Sequence, residues 1–124
     1  MSAHDAVNIL MVDDQPGKLL SYEAILHPLG ENLLKANSGR DALDSLLRND
    51  IAVVLMDVSM PGMNGLDATR ILRREIPRID VILVSQNDPK IVSRQAAEVG
   101  AQTAAEGNLG EREAVLRHQI AFVV

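Results

Sequence analysis

Residues 51–57 read IAVVLMD, six apolar residues in a row, half of them β-branched, closed by one carboxylate. A continuous run of this kind suits a strand covered on both faces, because a strand with one wet face alternates apolar and polar residues. Two more segments share the character, NILMV at residues 8–12 and DVILV at residues 80–84. Weaker strands are expected at residues 31–36 and 101–105. Between the runs lie residues at helical spacing: Leu43, Leu46 and Leu47; Ala68, Ile71, Leu72 and Ile76; Val92, Ala96 and Val99. Pro16 and Pro89 stand where a first helical turn tolerates proline, while Ser38 with Asp41 and Asn64 with Asp67 resemble N-terminal caps. Gly30 and Gly100 stop helices in the left-handed region. Residues 110–124 supply a last helix with Leu116, Ile120 and Val123 on one face. The order is β-α five times over, which predicts a doubly wound α/β sandwich.

The bulk numbers narrow the rest. A chain of 124 residues makes one domain, expected to have its core over about residues 7–120 and an apolar tail, IAFVV, at 120–124. That tail docks on the body, pairs with another copy, or marks an unusual end. Apolar residues at 47% and charged residues at 23% are ordinary for a globular chain, so neither disorder nor a fibrous repeat enters the reading. No apolar run approaches the roughly 18 residues of a membrane span, and the start MSAHDAVNIL has no basic flank or apolar core, so a cytoplasmic location is expected. Cysteine is absent, which excludes disulfide and thiol chemistry. A net charge of −5 argues against a nucleic-acid footprint for this chain alone. His4, His27 and His118 are scattered along the chain and read as ordinary surface or helix residues.

Chemistry is expected where the acidic residues fall. In a doubly wound sheet, ligands collect beyond the carboxyl ends of the strands. Asp13 and Asp14 follow the first strand directly and Asp57 ends the third. Taken singly, each Asp is better read as a helix cap or a strand end. Together at one sheet edge they repel, by about 4 kcal/mol for two charges ~4 Å apart at an effective dielectric of about 20. Such a cluster asks for a cation, with hard oxygen ligands favouring Mg²⁺, or for carboxyls that hold on to protons.

Three segments then carry a resemblance over nearly the whole chain. ILMVDDQP, VVLMDVSMPGMNGLDATR and VILVSQND are similar to the signature segments of response-regulator receiver domains. The resemblance implies a flavodoxin-like fold with strand order 2-1-3-4-5. It makes Asp57 the acceptor of a phosphoryl group from a sensor histidine kinase or phosphotransfer protein. Asp14, Asp57 and the backbone carbonyl of Ser59 would hold Mg²⁺, with Asp13 acting through a bound water and Ser85 hydrogen-bonding the phosphoryl group. Ser59 and Asn87 stand where the family tunes slow self-dephosphorylation, so the chain is read as a phosphoacceptor rather than an enzyme. Pro61, Gly62 and Gly65 are turn residues that shape the loop after Asp57.

The pattern breaks after residue 100. The sequence reads GAQTAAEGNLGE, with Ala104 at the family's aromatic switch position, Gly107 at its lysine position and Asn108 at the following proline. No Lys occurs after Lys90, and Lys18 and Lys90 are more ordinary as surface lysines than as substitutes. A weakened or atypical switch is expected, because phosphorylation acts only through binding energy that differs between two states. The main expectation is a single-domain regulator signalling through protein contacts. Beside it stand a phosphorylation-independent interaction module, favoured by Gly107 and Ala104, and the receiver part of a longer DNA-binding regulator. A homodimer through the last two helices and last strand is expected from the family's habit.

Overall fold

β3 (Ile51–Asp57) runs through the middle of a five-stranded parallel sheet, and the other elements are arranged around it. The computed structural model describes residues 6–58, 60–76, 79–84, 94, 97–98 and 102–103. In chain order come β1 (Asn8–Val12), α1 (Pro16–Leu26), a 3-10 turn at His27–Leu29, β2 (Asn32–Ala36), α2 (Gly39–Arg48), β3, α3 (Gly65–Glu75), β4 (Asp80–Val84) and β5 (Gln102–Thr103). Their order across the sheet is β2-β1-β3-β4-β5, the flavodoxin-like order expected. Among the described residues no helix is long and apolar enough to cross a membrane.

The central strands are apolar on both sides because both sides are covered. Leu10 and Val12 of β1, Val54 and Met56 of β3 and Leu83 of β4 pack with Ala42 and Leu46 of α2 and Ala68 and Leu72 of α3. The alternate residues, Ile9 and Met11, Val53 and Leu55, Ile82 and Val84, pack with Leu19, Tyr22 and Leu26 of α1 on the other face. Ile9, Leu10, Val53, Val54 and Ile82 are fully excluded from solvent. Each such side chain contributes roughly 1.5–3 kcal/mol by leaving water.

The helix signals are used as read. Ser38 Oγ accepts the Asp41 N–H at 3.0 Å, and Asn64 Oδ1 accepts the Asp67 N–H at 2.9 Å. Pro16 opens α1. Three boundaries differ from expectation. α1 ends at Leu26, because Pro28 has no N–H to continue it, and the next residues tighten into the 3-10 turn. Gly30, at φ 73°, therefore closes that turn rather than the helix, its N–H donating to the His27 carbonyl at 3.1 Å. β2 starts at Asn32, since the Glu31 carboxylate is turned to accept the Val7 N–H at 3.0 Å. β3 extends one residue beyond the expected run, through Asp57, which pairs with Val84. Of the fifth strand and fourth helix, Gln102 and Thr103 are extended and Arg94, Ala97 and Glu98 are helical. Pro89, Gly100, the last helix and the IAFVV tail lie outside the described residues.

Candidate functional site

Strand register brings the acidic residues together. Val12 pairs with Met56 across β1 and β3, so the next residue of each strand, Asp13 and Asp57, comes level at the same sheet edge. The pleat then decides their direction. Asp13 continues the alternation of Ile9 and Met11, and Asp57 that of Val53 and Leu55, the residues facing α1. Asp13 is fully buried and Asp57 is 5% exposed, while Asp14, one step into the loop, is half-buried. One carboxylate oxygen from each of the three lies within 4.8 Å of the others.

The backbone around them is tightly held. The Asp13 N–H donates to the Ala36 carbonyl at 3.1 Å, carrying the ladder one step past β1, and the Val58 N–H donates to the Val84 carbonyl at 3.1 Å. The Gly65 N–H donates to the Val58 carbonyl at 3.0 Å, which seats the start of α3 directly on the chain leaving β3. A Cβ at Gly65 would run into the Asp57 carbonyl oxygen and crowd the Val58 Cα. Gly65 is thus needed for close approach, and Gly62, at φ 74°, for the turn before it.

The three carboxylates are not equivalent. Asp13 Oδ1 accepts the Gln15 N–H at 3.0 Å, and its Oδ2 accepts the Tyr22 hydroxyl at 2.9 Å in a buried hydrogen bond. Both oxygens of Asp13 are engaged by the protein. Asp14 Oδ1 is buried without any hydrogen-bond partner. A buried polar atom left unpaired costs roughly 1–3 kcal/mol, more when charged, so its position in a nest of carboxylates marks it for a positive ligand. Burial drives the Tyr22 hydroxyl well above its ordinary pKa of 10.0, followed by the charge of Asp13, the hydrogen bond to Asp13 and the charge of Asp57. Tyr22 therefore keeps its proton and remains a donor to Asp13 at neutral pH.

Hard anionic oxygens, one of them unpaired and all within reach of a single point, fit a small divalent cation such as Mg²⁺. Asp13, Asp14 and Asp57 are together as expected. Lys18 is half-buried in the first turn of α1. Ser59, Ser85, Asn87, Lys90, Ala104, Gly107 and Asn108 lie outside the described residues. Tyr22 is the addition that sequence reasoning missed. The available signal was faint: a lone tyrosine on the face of α1 that also carries Leu19 and Leu26 reads as packing, and nothing local marks its hydroxyl as a partner of Asp13.

Comparison with known proteins bears on most of the chain. A family model described as the response regulator receiver domain matches residues 9–111. Protein PilH of Pseudomonas aeruginosa is 42% identical over 82 residues, 64% of this chain and 68% of PilH. The transcriptional activator protein ExaE of Pseudomonas putida is 36% identical over 100 residues, 77% of this chain but 45% of ExaE. The structure of chemotaxis protein CheY4 of Vibrio cholerae superposes with a TM-score of 0.77 at 19% identity, covering 97% of this chain and all of that one. At that identity the likeness speaks for the fold alone.

Proposed function

Since the chain belongs to the response regulator receiver domain family, we propose that it accepts a phosphoryl group on Asp57 from the phosphohistidine of a sensor kinase or phosphotransfer protein. The observation that carries this reading is the convergence of Asp13, Asp14 and Asp57, with Asp14 Oδ1 unpaired, at the carboxyl edge of the sheet. A carboxylate oxygen of Asp57 attacks phosphorus, the phosphorus–nitrogen bond of the donor breaks, and its electron pair returns to the imidazole, which takes up a proton. Asp14, Asp57 and the Ser59 carbonyl would hold Mg²⁺, with Asp13 acting through a water. When bound, the cation supplies the positive charge that lets an anionic nucleophile meet an anionic donor. Ser85 would donate a hydrogen bond to a phosphoryl oxygen, and slow hydrolysis at the same site returns Asp57 to its carboxylate.

In this reading the chain works in the cytosol and its output is a protein contact. Gly107 and Ala104, standing at the family's lysine and aromatic positions, favour a weakened coupling between Asp57 and any partner surface. The same two residues favour a second reading, an interaction module that operates without phosphate. The match over less than half of ExaE is compatible with a receiver joined to an output region, and the family habit with a homodimer.

The experiment is incubation with Mg²⁺ and acetyl phosphate. A mass gain of one phosphoryl group is expected in the wild type and in no preparation of Asp57→Asn. No gain in the wild type would remove phosphorelay from the reading and leave the interaction module.

A further inference from the structure

We propose that Tyr22 is a positioning residue of the carboxylate pocket, whose hydroxyl carries part of the charge of Asp13 while no cation is bound and thereby keeps cation binding weak and reversible. The inference rests on the reading of Asp13, Asp14 and Asp57 as a divalent-cation and phosphoryl site.

Its basis is the difference between two neighbouring carboxylates. Asp13 is clamped at both oxygens, by the Gln15 N–H at 3.0 Å and the Tyr22 hydroxyl at 2.9 Å, whereas Asp14 Oδ1 is buried with no partner. Both donors are seated in the structure around α1. Gln15 belongs to the backbone at the start of α1, and the Tyr22 ring is 2% exposed in the core beneath β1 and β3. Packing alone does not explain the hydroxyl, since phenylalanine would fill the same volume without a polar atom to satisfy.

A hydrogen bond to a carboxylate is strongest when the carboxylate bears its full charge. A cation drawing on Asp13, directly or through a water, weakens the bond from Tyr22. Linkage is reciprocal, so the bond lowers the affinity of the cation by the same factor. Asp14 supplies the open oxygen and Asp13 the tempered one. A site arranged in this way releases its cation readily.

The test uses the full chain and Mg²⁺ alone. Titration calorimetry is expected to show Tyr22→Phe binding Mg²⁺ about fivefold more tightly than the wild type, a modest share of the strength of a charge-assisted hydrogen bond. Tyr22 is also the single tyrosine in a chain without tryptophan, so wild-type emission reports on this hydroxyl alone. That emission is expected to rise along the calorimetric transition, as the carboxylate that quenches it is neutralised. Affinity that is equal or weaker in Tyr22→Phe, with wild-type binding intact, overturns this inference and leaves the underlying reading standing. Flat tyrosine emission through a wild-type transition does the same, and this arm decides the matter if circular dichroism shows the variant unfolded. A wild type that binds no Mg²⁺ fells both.

Discussion

The Tyr22 hydroxyl also ties the protein's stability to pH. Its pKa is raised on folding, so above the ordinary value of 10.0 the unfolded chain loses a proton that the folded chain keeps. Stability is fully present below about pH 10 and falls as pH rises from there toward the folded pKa, by up to about 1.4 kcal/mol per pH unit. Urea denaturation at stepped pH is expected to show this loss in the wild type and a shallower one in Tyr22→Phe. Tyrosinate absorbance, which only Tyr22 can produce, should appear together with unfolding. At neutral pH without Mg²⁺, the same variant should be less stable by about 1–3 kcal/mol, because it leaves Asp13 Oδ2 buried without its donor. Residues of this kind are barely legible in sequence. Asp57 could be singled out because it closes an apolar run. The role of Tyr22 depends on which way α1 is rotated over the sheet.

Among the elements, α3 has its start packed against the backbone that carries Asp57. Gly65 sits against the backbone of Asp57 and Val58, so Gly65→Ala must push the helix start away from β3. The expected cost is about 2–4 kcal/mol in denaturation, well above the usual effect of placing alanine in a helix, which is favourable. The caps, by contrast, are local devices. Ser38→Ala and Asn64→Ala should each cost about 1 kcal/mol in urea denaturation. Both caps were legible because cap chemistry is confined to a few consecutive residues. The end of α1 was less so: Gly30 looked like the stop, but Pro28 had already broken the helix two residues earlier. The close approach at Gly65 was legible only as turn chemistry, because the atoms it must clear belong to another element.

At the scale of the whole molecule, the acidic cluster should set stability against charge. Three carboxylates held together are strained by repulsion, so Asp14→Asn is expected to stabilise the Mg²⁺-free chain by about 1–2 kcal/mol. Mg²⁺ should stabilise the wild type by about 2.7 kcal/mol at a concentration one hundred times its dissociation constant, and do little for Asp14→Asn. Thermal unfolding with and without the ion checks both, and a wild type indifferent to Mg²⁺ would contradict them. The alternation of strands and helices, the helix caps and the placing of carboxylates at strand ends were legible from the residues alone, because each follows from the spacing of near neighbours. The sequence also carried the three segments through which the family, and with it the strand order, could be expected. The tertiary structure decided that Asp13 and Asp57 stand level and face α1, that Asp14 keeps an unpaired oxygen, and that Tyr22 reaches Asp13. Those relations depend on register between β1 and β3 and on the packing of α1 across them, and they join residues that no local pattern connects.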